Sequence, residues 1–259
     1  FASDVAMTTR HLLIAAGTAF VLGLFAQAPA AVIYGWVFAR QPDTPVRLFG
    51  IEGTIVSGSA RYVMHGGQPL LTDLHWSLQP WALLLGRLGY HVRTTSTPLL
   101  LDGRLGIGFG GTHIDALKAS GELGALAAAA GQSFVPFVGQ AGIDVHTLRL
   151  RDGWPVTATG QLRVIGLHWT LARQPILLGD YQADLGTESG EITALIHTLS
   201  GVLDVSGDAR LKPDRSYELN LQLRPRPDAP PMVANLLRSV GAPDAQGYYR
   251  LRRTGKMTP

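Results

Sequence analysis

The stretch GIDVHTLRL, Gly142–Leu150, mostly alternates apolar and polar side chains. Successive side chains of a β-strand point to opposite faces of the sheet, so such alternation is typical of a strand with one buried face. The same period recurs at residues 59–63, 91–94 and 217–223. We therefore predict a mainly β protein, built on an antiparallel, strongly twisted β-sheet.

Turn-forming residues punctuate these strands. The chain holds 31 glycines and 16 prolines without a regular period, which indicates many turns and short elements. Glycine reaches positive φ without steric cost, and Asp-Gly or Ser-Gly pairs therefore favour hairpins. Predicted turns are Asp102-Gly103, Arg151-Asp152-Gly153, Ser189-Gly190 and Lys212-Pro213-Asp214-Arg215.

Three stretches depart from the strand pattern and predict short helices that cover sheet faces or ends. They are Trp81–Leu88 after Pro80, Glu122–Ala130 before Gly131, and Pro231–Val240 before Gly241. The last has apolar residues at helical spacing, and we expect that face to pack on the protein's own sheet rather than on a neighbouring subunit.

The N-terminal region is predicted to cross a membrane. Residues 12–38 form a run of 27 residues without Asp, Glu, Lys or Arg, and a spanning helix needs roughly 20. We predict a short cytoplasmic tail over residues 1–11 and a transmembrane helix over 12–38, with Tyr34 and Trp36 at the interface. A cleaved signal peptide ending at Ala26-Gln27-Ala28 is the alternative, although Pro29 is unfavourable just after a cleavage site.

An internal echo suggests a duplication. The segment Leu74–Leu78, LHWSL, reappears 93 residues later as Leu167–Leu171, LHWTL, and each copy is followed by a proline and a Leu-Leu-Gly triplet. We predict two β-rich lobes, residues 47–140 and 141–259, that share one extended sheet or pack as neighbours. A chance match is the competing explanation. Trp76 and Trp169 are expected to anchor the two cores.

Two motif blocks resemble a known family. The first spans Phe49–Ala60, FGIEGTIVSGSA, and the second spans Leu74–Gly86. Together with a C-terminal block that ends at Tyr248–Leu251, they resemble the N subunit of the bacterial type II secretion system, the GspN family. The resemblance covers essentially the whole chain, although Val56 stands where the family commonly has Trp. The residues that carry it are Gly53, Thr54, Ser57, Gly58, Trp76, Pro80, Leu84, Gly86 and Gly247, with Trp169 in the internal echo.

The resemblance implies a non-enzymatic subunit that acts in protein export. Such a protein is anchored in the bacterial inner membrane by a single pass and exposes its main domain to the periplasm. Its expected partners are other secretion subunits, those of the inner-membrane platform and, as a further candidate, the secretin. The second block also resembles AsmA-like envelope proteins, so a lipid-handling module with an apolar groove is the alternative function.

Composition excludes several other classes. The chain has no cysteine, which rules out disulfides, thiol catalysis and Cys-based metal sites. The net charge is +3 without a basic stripe, so we expect no nucleic-acid partner.

We expect no catalytic, cofactor or metal site. Gly53–Gly58 lacks the Lys of a phosphate loop and predicts tight turns or bulges between strands. The glycine-rich residues 106–111 lack the βαβ pattern of a dinucleotide site and predict a kinked strand or a hairpin. The eight histidines are scattered, and His75 and His168 are expected to be solvent-facing alternates of a strand rather than metal ligands. Two acidic sets admit a hydrolase only on paper, Asp144 and Asp152 with His146, and Asp204 with Asp208.

Overall fold

The computed structural model describes residues 27–40, 46–65, 68–84, 86–96, 99–108, 110–129, 135–171, 174–239 and 241–257, with His11 and Gly23 as single positions. Apart from those two positions, the predicted tail, residues 1–11, and the first part of the predicted transmembrane helix, residues 12–26, lie outside the described residues. Residues 27–38 of that prediction are described, and there the helix begins only at Ala30, after Pro29 has formed a bridge with Thr54. Among the residues that are described, none of the helices combines the length and the apolar character needed to cross a membrane.

The described ranges form one antiparallel sheet of thirteen strands in which each strand pairs with the next along the chain. The prediction of a mainly β, antiparallel protein with a few short helices is therefore confirmed. The strands are β1 (Val46–Gly53), β2 (Ser57–His65), β3 (Gln68–Gln79), β4 (Arg87–Thr94), β5 (Leu99–Gly108), β6 (Gly111–Glu122), β7 (Phe137–Arg151), β8 (Trp154–Trp169), β9 (Ile176–Glu188), β10 (Glu191–Gly201), β11 (Leu203–Leu211), β12 (Ser216–Pro225) and β13 (Tyr249–Lys256). The helices are α1 (Ala30–Arg40), α2 (Pro80–Leu84), α3 (Leu123–Ala129) and α4 (Pro231–Arg238).

One continuous row of paired positions crosses all thirteen strands on the polar face of the sheet. Every member is exposed or half-exposed, and every member except Leu195 is polar. We call it the polar row: Glu52, Ser59, His75, Arg93, Asp102, Lys118, Asp144, Gln161, Asp184, Leu195, Asp208, Asn220 and Arg252.

The neighbouring positions form an apolar row on the opposite face. Its members are buried or half-buried: Ile51, Ala60, Leu74, Thr94, Leu101, Ala119, Ile143, Leu162, Ala183, Ile196, Gly207, Leu221 and Leu251. Thr94 is the one residue with a polar side chain in this row, and its hydroxyl links β4 to β5 by two hydrogen bonds. Its Oγ1 donates to the Leu99 carbonyl at 2.9 Å and accepts from the Leu101 N–H at 2.8 Å. The buried hydroxyl is thus fully bonded, as a polar group in an apolar face requires.

The main hydrophobic core lies where α4 covers the apolar face of the last strands. Val233 and Leu237 of α4 are 0% and 2% exposed, and they pack on a cluster from β9 and β11–β13: Leu178, Tyr181, Leu203, Leu223 and Tyr249. Burial of such a side chain stabilises the fold by about 1.5–3 kcal/mol. The predicted helix therefore packs on its own sheet, as expected, and it begins at Pro231, a favoured first helical residue.

α3 closes the same end of the sheet nearer the N-terminal strands. It follows β6, packs on β7 and also reaches β3, four strands away in the sheet order. The sheet must curl to bring both strands to one short helix. The prediction of a helix over Glu122–Ala130 thus agrees with the structure over Leu123–Ala129.

Two predicted hairpin turns are confirmed by their backbone angles. Asp152 and Gly153 have φ of 52° and 73°, and Ser189 and Gly190 have 51° and 82°. Two successive left-handed residues are the type I′ conformation, which matches the twist of a β-hairpin. The predicted turn at Lys212–Arg215 also joins two strands, with the Arg215 N–H donating to the Lys212 carbonyl at 3.0 Å.

The predicted turn at Asp102-Gly103 is wrong, because both residues lie inside β5. A β-bulge interrupts the pairing here: Ala116 of β6 has φ of 50°, and a Cβ on Gly103 would lie 2.9 Å from Leu117 Cδ1. Glycine is needed at this place for a close approach between strands rather than for a turn. The hairpin lies farther on, where Gly108 is opposite Gly111, as predicted for the glycine-rich segment.

The helix predicted over Trp81–Leu88 is also corrected, since α2 is a single turn over Pro80–Leu84. Gly86 adopts φ of 67°, and its N–H donates to the Leu83 carbonyl at 3.0 Å, which ends the helix. β4 then begins at Arg87.

α1 lies against the outer edge of β1. Pro29, just before the helix, forms an isolated bridge with Thr54, and the Leu48 N–H of β1 donates to the Tyr34 hydroxyl at 2.9 Å. The helix thus caps a backbone donor that an edge strand would otherwise expose.

The two regions predicted as lobes, residues 47–140 and 141–259, belong to one sheet, and their division into lobes stays a prediction. The proposed boundary between residues 140 and 141 falls within β7, so strand pairing runs across it without a break. The two echo segments lie at opposite ends of the sheet. Trp76 is near the end of β3, Trp169 ends β8, and these two strands run in opposite directions. The duplication itself stays a prediction.

Candidate functional site

The first motif block forms the β1–β2 hairpin. Gly53 has φ of 84°, a conformation that favours glycine. The Thr54 N–H donates to the Ser57 carbonyl at 2.9 Å, and the Ser57 N–H donates to Thr54 Oγ1 at 3.2 Å. The predicted turn is thus confirmed, and the Thr and Ser of this block hold its loop by these hydrogen bonds.

Trp76 of β3 locks that hairpin to the third strand. Its ring lies on Gly58, where a Cβ would come within 2.5 Å of Trp76 Cζ2, and its Nε1–H donates to the Thr54 carbonyl at 3.1 Å. The half-buried indole therefore meets both its apolar and its polar requirement. Gly53, Thr54, Ser57, Gly58 and Trp76 are one constellation, and its contacts are structural.

The remaining motif residues are distributed over the fold. Pro80 begins α2, Leu84 ends it, and Gly86 makes the left-handed turn into β4. Trp169 packs at the other end of the sheet against the core beneath α4. Gly247, with φ of 84°, lies in a turn before β13, where its N–H donates to the Asp244 carbonyl at 2.9 Å. α2 and Trp169 therefore lie at opposite ends of the sheet.

Asp244 organises that last turn. Its carboxylate accepts from the backbone N–H groups of Gln246 and Tyr248 at 3.0 and 2.9 Å, and from Arg250 at 3.1 Å. These hydrogen bonds, chiefly the one from Tyr248, hold the pKa of Asp244 below its ordinary value. The turn thereby positions the start of β13, where Tyr249 pairs with Leu223 of β12.

The polar row contains a shallow concavity of about 560 Å³ over β4–β8. Cross-strand neighbours there alternate in charge from Arg93 to Asp102, Lys118 and Asp144. Opposite charges at paired positions stabilise an antiparallel sheet by about 0.2–1 kcal/mol per pair. Arg163 at the rim donates to Gln182 Oε1 at 2.8 Å. The concavity offers donors and acceptors of both signs on a rigid backbone, which suits recognition of a polar protein surface.

Two acidic residues brace the sheet, and the first of them does so where the register of β8, β9 and β10 shifts. Asp180 accepts from the Gly166 N–H and from the Ser200 hydroxyl, each at 2.7 Å, and both bonds lower the pKa of its carboxyl group. Asp204 pairs with Arg226 at 2.8 Å and with Arg224 at 3.6 Å. Both carboxylates therefore bind groups of the sheet itself.

Tyr181, next to Asp180 in β9, has a strongly raised pKa. Burial first, and then the nearby Asp204 carboxylate, raise the pKa of its phenol well above the ordinary value. Its hydroxyl donates to the Leu203 carbonyl at 3.0 Å, so it is a neutral member of the core. A functional role is not needed to explain the shift.

The acidic sets considered for hydrolysis are not assembled. Asp144 is in the middle of β7 and Asp152 is in the turn that follows it, eight residues on, which at 3.3 Å per residue is roughly 25 Å. His146 is exposed on the same strand. Asp208 pairs with Arg210 at 3.6 Å, whereas Asp204 has its own two arginines.

The two histidines of the echo segments, His75 and His168, interact with neighbouring parts of the sheet. His168 is half-buried, and its Nδ1 is 2.7 Å from the Gly166 carbonyl, while His75 is a member of the polar row. Among the residues that the structure describes, no three His, Cys, Asp or Glu side chains come together in a group able to hold a metal ion.

The alignment of the polar row is the feature that sequence reasoning missed. Each strand's alternation assigns its own two faces, but the row depends on twelve registers, several of them adjusted by bulges. A one-residue slip would have moved a strand's polar set to the opposite face. The signal available in sequence was the mixed charge of the central strands, at Arg93, Asp102, Lys118 and Asp144.

Comparison with known proteins gives consistent results. The family model described as "Type II secretion system (T2SS), protein N" matches residues 44–252. The chain is 30% identical over 226 residues to the type II secretion system protein N of Vibrio cholerae serotype O1 (strain ATCC 39315 / El Tor Inaba N16961), an alignment that covers 82% of this chain and 85% of that protein. It is 27% identical over 237 residues to the type II secretion system protein N of Aeromonas hydrophila, covering 83% and 86%. No solved structure matches it.

Proposed function

The chain belongs to the type II secretion system protein N family and is therefore a secretion-system subunit, and we propose that it acts in protein export without catalysing a reaction. In this proposal an N-terminal helix anchors it in the bacterial inner membrane, and its sheet lies in the periplasm. There it binds other secretion subunits, with the inner-membrane platform as the first expected partner and the secretin as a further candidate. The resemblance drawn from the sequence is confirmed at the level of the family.

The polar row is the observation that carries partner binding. A single-layer sheet with charged and amide side chains across its full width buries little on that face, and its members are exposed or half-exposed. Opposed charges at fixed spacing favour one docking register and disfavour others. The extended concavity at Arg93, Asp102, Lys118 and Asp144 is the centre of the proposed contact surface.

The edge of β13 is a second candidate contact. Its outer side has no strand partner among the described residues, and it carries Arg250, Arg252, Arg253 and Lys256. Clustered positive charge discourages two such edges from pairing with each other. An extended segment of another subunit, with acidic side chains, is able to add to this edge by backbone hydrogen bonds.

Anchoring is supported by composition and by where the chain enters the fold. Residues 12–28 carry no charge and directly precede Pro29, which bridges Thr54 at one end of the sheet. A membrane helix in this position would place one end of the sheet at the bilayer and leave the polar face uncovered.

Cysteine labelling tests the topology, because the chain has no cysteine of its own. In cells with a permeabilised outer membrane, a membrane-impermeant maleimide should label Asp208→Cys while the inner membrane is intact. Thr9→Cys, in the proposed cytoplasmic tail, should react only after the inner membrane is disrupted. Protection of Asp208→Cys until that step would refute the periplasmic placement.

A lipid-handling role is the second candidate, and one observation favours it. α3 and α4 cover the apolar face at one end of the sheet, while Leu74, Leu101 and Ile143 of the apolar row remain only half-buried. Acyl chains suit such a surface. Gentle detergent extraction of the tagged, chromosomally expressed protein distinguishes the two: stoichiometric phospholipid without secretion subunits supports the lipid role, and secretion subunits without stoichiometric lipid support the assembly role.

A further inference from the structure

Four large apolar side chains are exposed at one end of the sheet, two on a helix that packs over Gly89 of β4 and two on the opposite face of the strands. Trp81 and Leu83 of α2 are 59% and 48% exposed. Leu88 and Ile107, which pair directly across β4 and β5, are 47% and 49% exposed, and α2 packs on β4. We call these four residues the apolar rim. Apolar side chains exposed on both faces of one sheet end suit a contact that meets that end, with a partner or a membrane.

The N-terminal chain enters the fold at this same end. In a sheet whose strands follow the chain order, the β1–β2, β3–β4 and β5–β6 connections all lie on one side. Thr54 is in the first of these connections and α2 is in the second, so they are two strand spacings apart, roughly 10 Å. Pro29 bridges Thr54. The uncharged run before Pro29 therefore joins the fold beside the apolar rim.

The chemistry of the rim matches the interface of a bilayer. Tryptophan favours the headgroup region, where its ring is sheltered and its N–H stays hydrated. Exposed Arg87 begins β4, directly after α2, and adds a cation that pairs with lipid phosphate while its stem lies along apolar surface. A protein partner would cover the same side chains, but the uncharged run that joins the fold at this end favours a bilayer.

We infer that the apolar rim rests in the interface of an anionic phospholipid bilayer, with Trp81 and Leu83 at the depth of the headgroups and upper acyl chains. This inference rests on the proposed membrane anchor. The rim would be a second point of attachment, and two points fix the orientation of the sheet where a single flexible anchor would not. The polar row would then face along the membrane surface, toward neighbouring inner-membrane subunits.

The test uses the full chain in vesicles of phosphatidylethanolamine and phosphatidylglycerol. Single cysteines carry an environment-sensitive fluorophore at Leu83→Cys in the rim, at Ala16→Cys in the proposed anchor, and at Leu171→Cys. Leu171 is 62% exposed and follows β8 at the opposite end of the sheet, which makes it a matched control. The labels at positions 83 and 16 should show blue-shifted emission and lose intensity to nitroxide-bearing lipids, while the label at 171 should not.

The outcomes separate the rim from the anchor. Quenching at position 16 with none at 83 overturns the inference and leaves the anchor standing. Quenching at neither position overturns the proposed anchor, and the inference with it. As a further control, Trp81→Asp should return the label at 83 to a water-like emission. Leu195→Asp, at a site 61% exposed on the polar row, should leave that emission unchanged, and an equal effect of both variants also overturns the inference.

Discussion

Substitution of Gly58 by alanine should destabilise the fold strongly, although it adds a single methyl group. The new Cβ would lie 2.5 Å from the Glu52 carbonyl oxygen and 2.5 Å from Trp76 Cζ2. Overpacking of this kind costs about 1–3 kcal/mol. Displacement of the indole also removes its 3.1 Å hydrogen bond to the Thr54 carbonyl, which contributes about 0.5–1.5 kcal/mol. We expect the free energy of unfolding to fall by about 2–4 kcal/mol.

Equilibrium urea unfolding of the full chain in detergent, followed by circular dichroism, measures this loss. Gly142→Ala is the matched control, because a Cβ at that strand position meets nothing within 4 Å, and it should change the free energy by less than about 0.5 kcal/mol. In a Trp76→Leu background, the cost of Gly58→Ala should shrink, since one of its two clashes is gone. Equal stability of the two alanine variants, or an unchanged cost in that background, would refute the packing account.

Three further predictions concern the core, the loss of stability at acid pH and the turns. Leu237→Ala should lower the free energy of unfolding by about 2–5 kcal/mol, whereas Met232→Ala on the same helix, at a side chain 45% exposed, should cost far less; similar losses would contradict the placement of α4. The pKa of Asp180 is lower in the native state than the unfolded-state value of about 3.9, so its ionised carboxylate stabilises the native state above that pH. This contribution to the free energy of unfolding is lost as the pH falls through the lower, native pKa. Urea titrations from about pH 5 downward should therefore show a shallower decline for Asp180→Asn than for the wild type, and identical slopes would argue against the bracing role. Gly153→Ala, at φ of 73°, should cost about 1 kcal/mol in the same assay, and a neutral result would count against the type I′ turn.

Local chemistry predicted four of the strands and three of the four named turns of this fold. Alternation at 142–150 and 217–223 identified β7 and β12, and the Asp152-Gly153 and Ser189-Gly190 pairs identified their turns, because those signals depend on neighbouring residues alone. The misplaced turn at Asp102-Gly103 shows the limit. Its glycine serves contact with Leu117 on the next strand, which no local pattern reports.

The candidate surfaces depended on long-range geometry and were less accessible. Residues 53, 54, 57, 58 and 76 were recognised as a family motif, but the reason they go together, the indole of Trp76 lying on Gly58, requires β3 to be placed beside β2. The polar row likewise requires the register of every strand. The apolar rim depends on which strand ends share one side of the meander, and so on the order of all the strands between them.

Site-specific photocrosslinking from the polar row tests the proposed assembly role most directly. A photoreactive amino acid at Lys118, Gln161 or Asp208 in intact cells should give discrete adducts with secretion-platform or secretin subunits. The same probe at Leu171, which is exposed but lies outside the row, should give far fewer. Adducts of equal yield from all four positions, or none from the row in a strain that secretes normally, would contradict the account.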